Sequence, residues 1–338
     1  NPDNVEVHYN LGVILQKQGK LDEATKMYKR AVSLRPDYVD ARMSLANLYK
    51  SRDMFDAAIS EYKGTLEVIP AAIEKIYERI SFYSDLGIYK QVLDEYGKIE
   101  NFKETKRKIL KNLASIFKVR GLKDRAIEEY NKLIKFSPED NEIRQELALL
   151  YDEAGRYKEA VAEYKNILKG RGQDKNILEY LRRLEKVEAH AALASVYQKQ
   201  GLRDRAIEEY KQAIAIKPDG CFLYYSLASL YAQAGEKDKA FTFYRKAVEI
   251  DPVYREAHLA LAQAFRESGR LKDAESEYIK LLKINPEDIQ AHLSLGLLFE
   301  EQGLYGQALN EYEEVVRLDP GNQEAKILIQ AIEDKRSQ

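Results

Sequence analysis

This sequence of 338 residues has a single cysteine, no long apolar run and almost no net charge. Cys221 is the only cysteine, so no internal disulfide can form. No run approaches the roughly 18 apolar residues of a membrane-spanning helix, and no signal-like segment opens the chain. The 54 basic and 56 acidic residues nearly cancel, giving a formal net charge of -2. That balance excludes a strong general attraction to nucleic acid or to an anionic membrane.

What the sequence has in abundance is internal repetition. The ten residues from Gly121 to Tyr130 return from Gly201 to Tyr210 with one Lys replaced by Arg. Weaker copies of the same pattern begin at five other glycines, Gly19, Gly155, Gly235, Gly269 and Gly303. Alignment on this glycine divides the chain into repeats of 34 residues. A period of this length is typical of a stacked array of similar units.

The alignment gives nine repeats, numbered in chain order. Repeats 1 to 5 occupy residues 5–38, 39–72, 73–106, 107–140 and 141–174. After an insert at 175–186, repeats 6 to 9 occupy 187–220, 221–254, 255–288 and 289–322. Residues 1–4 carry Pro2 in register, and we interpret them as the end of a truncated upstream repeat or as a leader. Residues 323–338 are predicted to form a C-terminal capping helix.

Each repeat combines two helical faces with a turn between them. Positions 4, 7, 8 and 11 of a repeat share one helix face, and positions 20, 24 and 27 share another. Position 24 is Tyr in all nine repeats, and position 15 is Gly in eight, with Asp53 as the exception. Small residues at positions 8 and 20 let two antiparallel helices approach closely, and Pro at position 32 stops the second helix. Because such a hairpin is too short to be stable alone, it must stack on its neighbours.

The pattern resembles the tetratricopeptide repeat (TPR) family, whose 34-residue unit carries a Leu-Gly/Ala pair, an aromatic residue, and then Ala, Tyr and Pro. The resemblance covers essentially the whole chain. It implies an all-α fold, an α-solenoid in which helix-turn-helix hairpins form a right-handed superhelix. Repeat 3 departs most from the pattern, with Arg79, Ile80, Val92 and Glu104 in place of Leu, a small residue, Ala and Pro.

The insert at 175–186 is predicted to be helical. Ile177, Leu178, Leu181 and Leu184 keep helical spacing, and no Gly or Pro separates them from the first helix of repeat 6. We therefore expect one helix from about 174 to 200, longer than its neighbours.

The sequence contains few candidates for catalytic, metal-binding or nucleotide-binding sites. The four histidines, His8, His190, His258 and His292, all occupy position 4 of a repeat and are expected to face the hairpin core. Neither the Walker nor the dinucleotide-binding glycine pattern occurs, and Cys221 has no obvious base in its own repeat. We therefore predict no catalytic residues, no metal site, no cofactor and no enzymatic activity.

In TPR proteins, the side of each first helix opposite its core lines a concave groove where partner segments bind. The resemblance implies such a groove here, apolar in the last three repeats and at the start, and charged in the middle. The predicted groove residues are Phe222, Tyr225, Ser229, Leu259, Gln263, Leu293, Leu297, Tyr9, Val13, Met43, Asn47, Lys108, Lys111 and Asn112. Packing between neighbouring first helices is the alternative interpretation of the apolar row.

Two more specific binding modes are disfavoured. One TPR pattern for acidic carboxy-terminal tails has Lys at position 5 and Asn at 9, Asn at 6 of the next repeat, and Lys at 2 and Arg at 6 of the one after. No three successive repeats meet it. Repeat 1 has Tyr9 and Val13, and repeat 2 has Met43 with Asn47. Repeat 4 has Lys111 but Ser115, and Glu146 follows in repeat 5. A basic cluster runs through Lys103, Lys106, Arg107, Lys108 and Lys111, and we interpret it as a solvated helix surface.

These features favour a non-catalytic scaffold or adaptor that binds protein or peptide segments in its groove. Two alternatives stay open: a regulatory or targeting array of a larger enzyme or secretion or assembly machine, and a scaffold that self-associates through the exposed face of its N-terminal repeat. We expect no nucleic acid partner and no direct membrane insertion. The sequence does not indicate the partner or the compartment.

Overall fold

The computed structural model describes residues 4–171 and 174–337. In this part of the chain every regular element is a helix and no strand occurs. The predicted all-α fold, a solenoid of helical repeats, is confirmed. The suggested upstream repeat at Pro2 lies outside the described residues.

Two compact units make up the structure, one formed by Asn1–Lys118 with Asp124–Pro138, the other by Val119–Lys123 with Glu139–Gln338. The first unit holds most of six helices, α1 (Val5–Lys17), α2 (Leu21–Leu34), α3 (Val39–Ser51), α4 (Phe55–Asp85), α5 (Tyr89–Val119) and α6 (Lys123–Phe136).

The second unit contains the remaining helices. They are α7 (Asn141–Glu153), α8 (Tyr157–Arg171), α9 (Lys175–Lys199), α10 (Arg203–Ile216), α11 (Cys221–Gln233), α12 (Lys237–Ile250), α13 (Arg255–Glu267), α14 (Leu271–Ile284), α15 (Ile289–Glu301), α16 (Tyr305–Leu318) and α17 (Gln323–Ser337). Among the described residues, none of the helices is both long and apolar enough to cross a membrane.

Repeat boundaries follow local chemistry. The glycines at position 15 have φ between 65° and 76°, the left-handed conformation that ends the first helix of a hairpin. Asp53 takes the same conformation with φ 55° where repeat 2 lacks the glycine. At the starts of α1, α7, α9 and α15, Asn4, Asp140, Asp174 and Asp288 accept hydrogen bonds from the first backbone amides.

The repeated side chains form the core as expected. At position 24, Tyr28, Tyr62 and Tyr312 are fully buried. At position 20, Ala24 and Ala308 are fully buried too, so the helices of a hairpin pack closely. The last helix, α17, packs on α16, and its residues Ala325 and Ile332 are buried.

Repeat 3 does not form a separate hairpin, which corrects the expectation that Pro70 stops a helix. Pro70 lies inside α4, which continues to Asp85, and α5 runs unbroken from Tyr89 to Val119. The cause lies in the residues that follow Pro70. Most repeats have Asp, Asn or Gly soon after this proline, whereas Ala71-Ala72 are strong helix formers and supply no cap.

As a result, repeat 2 contacts repeat 4 directly. Asn112 of α5 donates to Asn47 of α3 at 3.3 Å, and Lys50 of α3 donates to Asn112 at 2.9 Å. Residues 71–104, the outer halves of α4 and α5, form a two-helix extension that we call the arm. Its buried residues are Ile76, Ile80, Glu95 and Ile99, which lie where its two helices meet.

The insert extends a helix, as predicted. Helix α9 covers Lys175–Lys199, with Asp174 and Gln200 as its caps, so it joins the insert to the first helix of repeat 6 without interruption. Its initial turns pack on the chain through Leu181 and Leu184, which are buried. Tyr180 contacts Tyr164 of α8 with ring centroids 5.3 Å apart.

Within the second unit, the turn between α7 and α8 contacts residues that lie much later in the chain. The Phe222 ring lies against Gly155, and the Cys221 thiol lies 3.7 Å from the Glu153 carbonyl. Nearby, Lys123 Nζ pairs with Asp251 at 2.5 Å. Contacts of this kind skip repeats, unlike the neighbour-to-neighbour packing of a simple solenoid.

Candidate functional site

The predicted groove residues fall into two sets, one in each compact unit. The first set is Tyr9, Val13, Met43, Asn47, Lys108, Lys111 and Asn112. The second set is Phe222, Tyr225, Ser229, Leu259, Gln263, Leu293 and Leu297.

Asn47 and Asn112 are the centre of a polar cluster in the first unit. Asn47 Oδ1 accepts from the Tyr62 hydroxyl at 2.6 Å as well as from Asn112. Asn112 Oδ1 accepts from Lys50. The Asn47 side chain is exposed, so its amide N–H groups face solvent. The direct Asn47–Asn112 contact joins two predicted site residues that are 65 residues apart.

Three lysines lie on the two helices that form this cluster, Lys50 on α3 and Lys108 and Lys111 on α5. Lys108 and Lys111 are exposed, and Lys108 forms a long ion pair, 3.9 Å, with Glu104. Burial lowers the pKa of Lys50, because its ammonium group loses part of its hydration. A nearby carboxylate would therefore stabilise the charged form of Lys50.

Tyr9 belongs to an aromatic group at the start of the first unit. Its ring centroid lies 5.2 Å from that of Tyr38 and 6.0 Å from that of Tyr28. Val13 and Met43, like Tyr9, are half-buried. These side chains therefore offer part of their apolar surface to solvent.

Phe222 makes its contacts within the chain. Its ring meets Tyr157 edge-on at 6.3 Å between centroids, and a side chain larger than glycine at position 155 would collide with it. Tyr225 lies between Tyr244 and Tyr254, with centroids 5.8 and 5.5 Å away. Both aromatic residues are half-buried, so their surfaces are largely used by neighbouring helices.

The rest of the second set is mixed in exposure. Leu293 is buried, whereas Ser229, Leu259 and Leu297 are half-buried. Gln263 is exposed and donates to Glu267 at 2.9 Å. The structure therefore brings these residues onto neighbouring first helices without leaving a continuous exposed apolar row.

A repeated pair of side chains, which the sequence analysis did not anticipate, joins the two helices of five hairpins. A basic residue at position 4 contacts a glutamate at position 23 of the same repeat, at 2.6 to 2.9 Å. We call this contact the hairpin lock. The five locks are Arg42–Glu61, Arg144–Glu163, His190–Glu209, His258–Glu277 and His292–Glu311. The signal in the sequence is the acid that follows each basic residue at a spacing of 19.

Two of the locks also contact the loop that precedes their hairpin. The Nε2 atoms of His258 and His292 lie 3.0 Å from the carbonyl oxygens of Pro252 and Pro286. Burial alone would lower the pKa of His292, but its contacts with Glu311 and with the Pro286 carbonyl outweigh burial and raise it. Both ring nitrogens of His292 face acceptors, and the protonated imidazolium is the form that donates to both.

Repeat 7 replaces the lock with two rings. Tyr224 stands at position 4 and Phe243 at position 23, and their ring centroids are 6.3 Å apart. The same place in the hairpin therefore accepts either a polar pair or an aromatic pair.

Three of the histidines belong to hairpin locks, and the cysteine is buried. Among the described residues, no group of three or more His, Cys, Asp or Glu side chains is arranged to hold a metal ion. Burial raises the pKa of the Cys221 thiol to about 11. At neutral pH it is therefore a buried thiol and not a thiolate nucleophile.

Comparison with known families agrees with the repeat geometry. Models described as Tetratricopeptide repeat match residues 5–38, 223–254 and 259–323, and a model described as Tetratricopeptide Repeats-Sensor matches 122–232. Together these matches cover more than half of the chain. This chain is a TPR-repeat protein. Proteins built from these repeats act as scaffolds for protein–protein interaction.

The TPR protein is also similar to several solved structures. One is titled "Crystal structure of MamA", with 25% identity over 50% of this chain and 92% of that chain, and a TM-score of 0.38. Another is titled "Crystal structure of YrrB: a TPR protein with an unusual peptide-binding site", with 17% identity over 61% of this chain and 97% of that chain, and a TM-score of 0.38. No curated protein sequence matches the chain.

The arrangement of this TPR protein changes how the acidic-tail pattern applies. Because repeats 2 and 4 are in contact, Asn47 at position 9 meets Asn112 at position 6 of the next stacked hairpin. These are two of the five positions of that pattern. The other three positions differ, since Met43 stands in place of the Lys at position 5, and Glu142 and Glu146 of repeat 5 stand in place of the Lys and the Arg. Lys50 approaches the asparagines from position 12 instead.

Proposed function

We propose that this TPR protein is a scaffold that binds an extended, acidic segment of a partner protein at the Asn47–Asn112 cluster of its first unit. The single observation behind this proposal is the contact between these two carboxamides, which have Lys50 beside them. The segment would lie across α3 and the inner half of α5.

The hydrogen bonds of the cluster suit a peptide backbone or a carboxylate. Tyr62 and Lys50 hold the two asparagine oxygens, so the orientation of both side chains is fixed before a partner arrives. The exposed N–H groups of Asn47 are then available to donate to a carbonyl or carboxylate oxygen. Preorganised donors of this kind lose little side-chain entropy on binding.

Charge selects an acidic segment over a neutral one. Lys50 donates to Asn112, and Lys108 and Lys111 are exposed residues on α5, close to Asn112 in the sequence. A bound carboxylate would also offset the cost of burying the Lys50 ammonium group. Half-buried Val13 and Met43 add apolar surface for the stem of a partner side chain.

Fluorescence anisotropy with a labelled peptide of alternating Glu and Ala tests this proposal, with a Lys–Ala peptide as the charge-reversed probe. Asn112→Ala removes a hydrogen-bonding group near the bound charge, and we expect about tenfold weaker binding. Lys111→Glu reverses a charge without removing any hydrogen bond within the cluster, and we expect a similar or larger loss.

Lys272→Glu is the matched control, because Lys272 is an exposed lysine on α14 in the other unit. It should bind the acidic probe as the unmodified protein does. The proposal is wrong if Lys111→Glu and Lys272→Glu bind this probe equally well, or if the Lys–Ala peptide binds more tightly than the acidic one. Circular dichroism of each variant checks that the helices remain intact.

A further inference from the structure

The arm carries apolar surface that nothing in the described chain covers. On α5, Tyr89, Leu93 and Tyr96 follow one another at spacings of four and three residues, so they form a stripe along one side of the helix. Tyr77 of α4 is exposed as well. These four side chains are 50% to 72% exposed. Scattered exposed apolar residues are ordinary, but a stripe on a projecting pair of helices indicates a contact surface.

The described residues, 4–171 and 174–337, do not cover the stripe. In a regular array, repeat 3 would lie between repeats 2 and 4. Here Asn47 and Asn112 join those two repeats directly, so the place that the arm would occupy is already filled. The residues of repeat 3 also disfavour its stacking between repeats 2 and 4. Arg79 and Ile80 stand where close stacking requires Leu and a small residue.

We propose that the stripe binds the same stripe of a second copy of this chain, with the two α5 helices antiparallel. In this arrangement Leu93 of each copy packs against Tyr96 of the other. One helical turn further out, Tyr89 then lies level with Glu100 of the other copy. Tyr89 can donate its hydroxyl to Glu100, whose second oxygen is held by Lys103 at 3.1 Å. The ends of the interface are therefore polar and complementary, while its centre is apolar.

Gly97 supports close approach of the two helices. It lies one turn after Leu93, on the edge of the stripe, and no atom lies within 4 Å of where its Cβ would be. The open space beside Leu93 and Tyr96 can receive a large side chain from the facing helix. Close helix packing commonly uses small residues in this way.

The size of the surface also fits a pair of identical chains. Large side chains bury about 150–250 Å² each, so the exposed parts of Tyr89, Leu93 and Tyr96 amount to on the order of 300 Å² per copy. Two copies with their flanking residues then approach the roughly 1,000 Å² of a small specific interface. The predicted dimer is therefore a weak or transient one, and its population depends on protein concentration.

Sedimentation velocity over a range that reaches hundreds of micromolar tests the proposal. The unmodified chain should shift from monomer to dimer as its concentration rises. Leu93→Asp places a charge at the centre of the interface and should raise the dimer dissociation constant at least about tenfold. Because Leu93 is exposed, this change should leave helicity intact.

Ile327→Asp is the matched control, since Ile327 is an equally exposed apolar residue on α17. It should dimerise like the unmodified chain. A chain that stays monomeric at every concentration overturns the proposal, and so does an equal loss of dimer in the Leu93→Asp and Ile327→Asp variants.

Disulfide trapping tests the antiparallel register. When the L93C and Y96C proteins are mixed and mildly oxidised, cross-links between the two variants should form faster than cross-links within either one. The native Cys221 is buried and does not compete. Equal rates for all pairings would rule out the proposed register.

Discussion

Replacing one hairpin lock by the aromatic pair of repeat 7 tests what holds a repeat together. His258 and Glu277 form the most buried lock, with side chains 3% and 8% exposed and 2.8 Å between the bonded atoms. At the equivalent positions repeat 7 has Tyr224 and Phe243. The double variant His258→Tyr/Glu277→Phe therefore copies a pair that the same fold already accepts.

The single variants should behave very differently from the double variant. His258→Tyr leaves the buried Glu277 carboxylate with Lys280 as its remaining partner, at 2.7 Å. Glu277→Phe leaves the Nδ1 atom of His258 without its acceptor. Breaking a buried pair costs about 3–5 kcal/mol, and because Lys280 still reaches Glu277 we expect about 3 kcal/mol for His258→Tyr. Replacing both partners by apolar groups is often neutral, so the double variant should lie within about 1 kcal/mol of the unmodified chain.

Hydrogen exchange measured by mass spectrometry reports this difference in stability for individual helices. Peptides from α13 and α14 should exchange on the order of a hundredfold faster in the single variants than in the double variant. Peptides from α15 and α16 contain the untouched His292–Glu311 lock and serve as the control within the same molecule. The reasoning fails if the double variant is at least as unstable as the sum of the two single variants, because the two side chains would then contribute independently.

Two further predictions concern the pH dependence of stability and the turn at Gly155. The pKa of His292 is raised in the folded chain, so the stability it contributes is complete below the ordinary histidine pKa of about 6.5 and is lost as the pH rises through the raised value. Urea titrations from acidic to mildly alkaline pH should show this loss, and His292→Gln should flatten the profile; an unchanged profile would contradict it. Gly155→Ala should lower the melting temperature more than Gly235→Ala. Both glycines have a positive φ, which costs an alanine about 1 kcal/mol, but only Gly155 also has a neighbouring ring, Phe222, where the new methyl group would lie. Equal shifts would mean that the contact with Phe222 is not tight.

Much of the fold can be predicted from the sequence because each repeat is defined by local rules. Helix α9 begins after the Asp174 cap and ends before Gln200, as the spacing of Leu181 and Leu184 and the lack of a breaker suggested. The turn conformations at position 15 follow directly from the glycines. These features depend on neighbouring residues alone, so a single sequence contains the information.

The arm could not be predicted in this way, because two local signals compete at Pro70. Proline argues for a helix end, and Ala71-Ala72 argue for a helix that continues without a cap. The outcome depends on whether repeat 3 can stack, which is a tertiary question. The unusual residues of repeat 3 were visible in the sequence, but the direct contact between Asn47 and Asn112 was not.

The candidate site was predictable in part for the same reason. Helical periodicity identified the side of each first helix on which Asn47, Asn112 and Lys111 lie. It did not reveal that Phe222 and Leu293 would be used for packing within the chain, because the contacts of Phe222 come from a turn about 70 residues earlier. The hairpin locks were not predicted, because the histidines were expected only to face the hairpin core and were not paired with the acids at a spacing of 19.

The contacts that skip repeats give the second unit a different mechanical character from a simple row of hairpins. When each hairpin touches only its neighbours, an array can stretch and recoil, and its ends can fray one hairpin at a time. Here Lys123 and Asp251 are 128 residues apart in the chain, and Cys221 reaches the Glu153 carbonyl from 68 residues away. Moving one of these loops away from its neighbours also breaks contacts that another loop makes, so these contacts oppose bending of the second unit. Contacts between distant parts of the chain thus limit how far this unit can bend without breaking them.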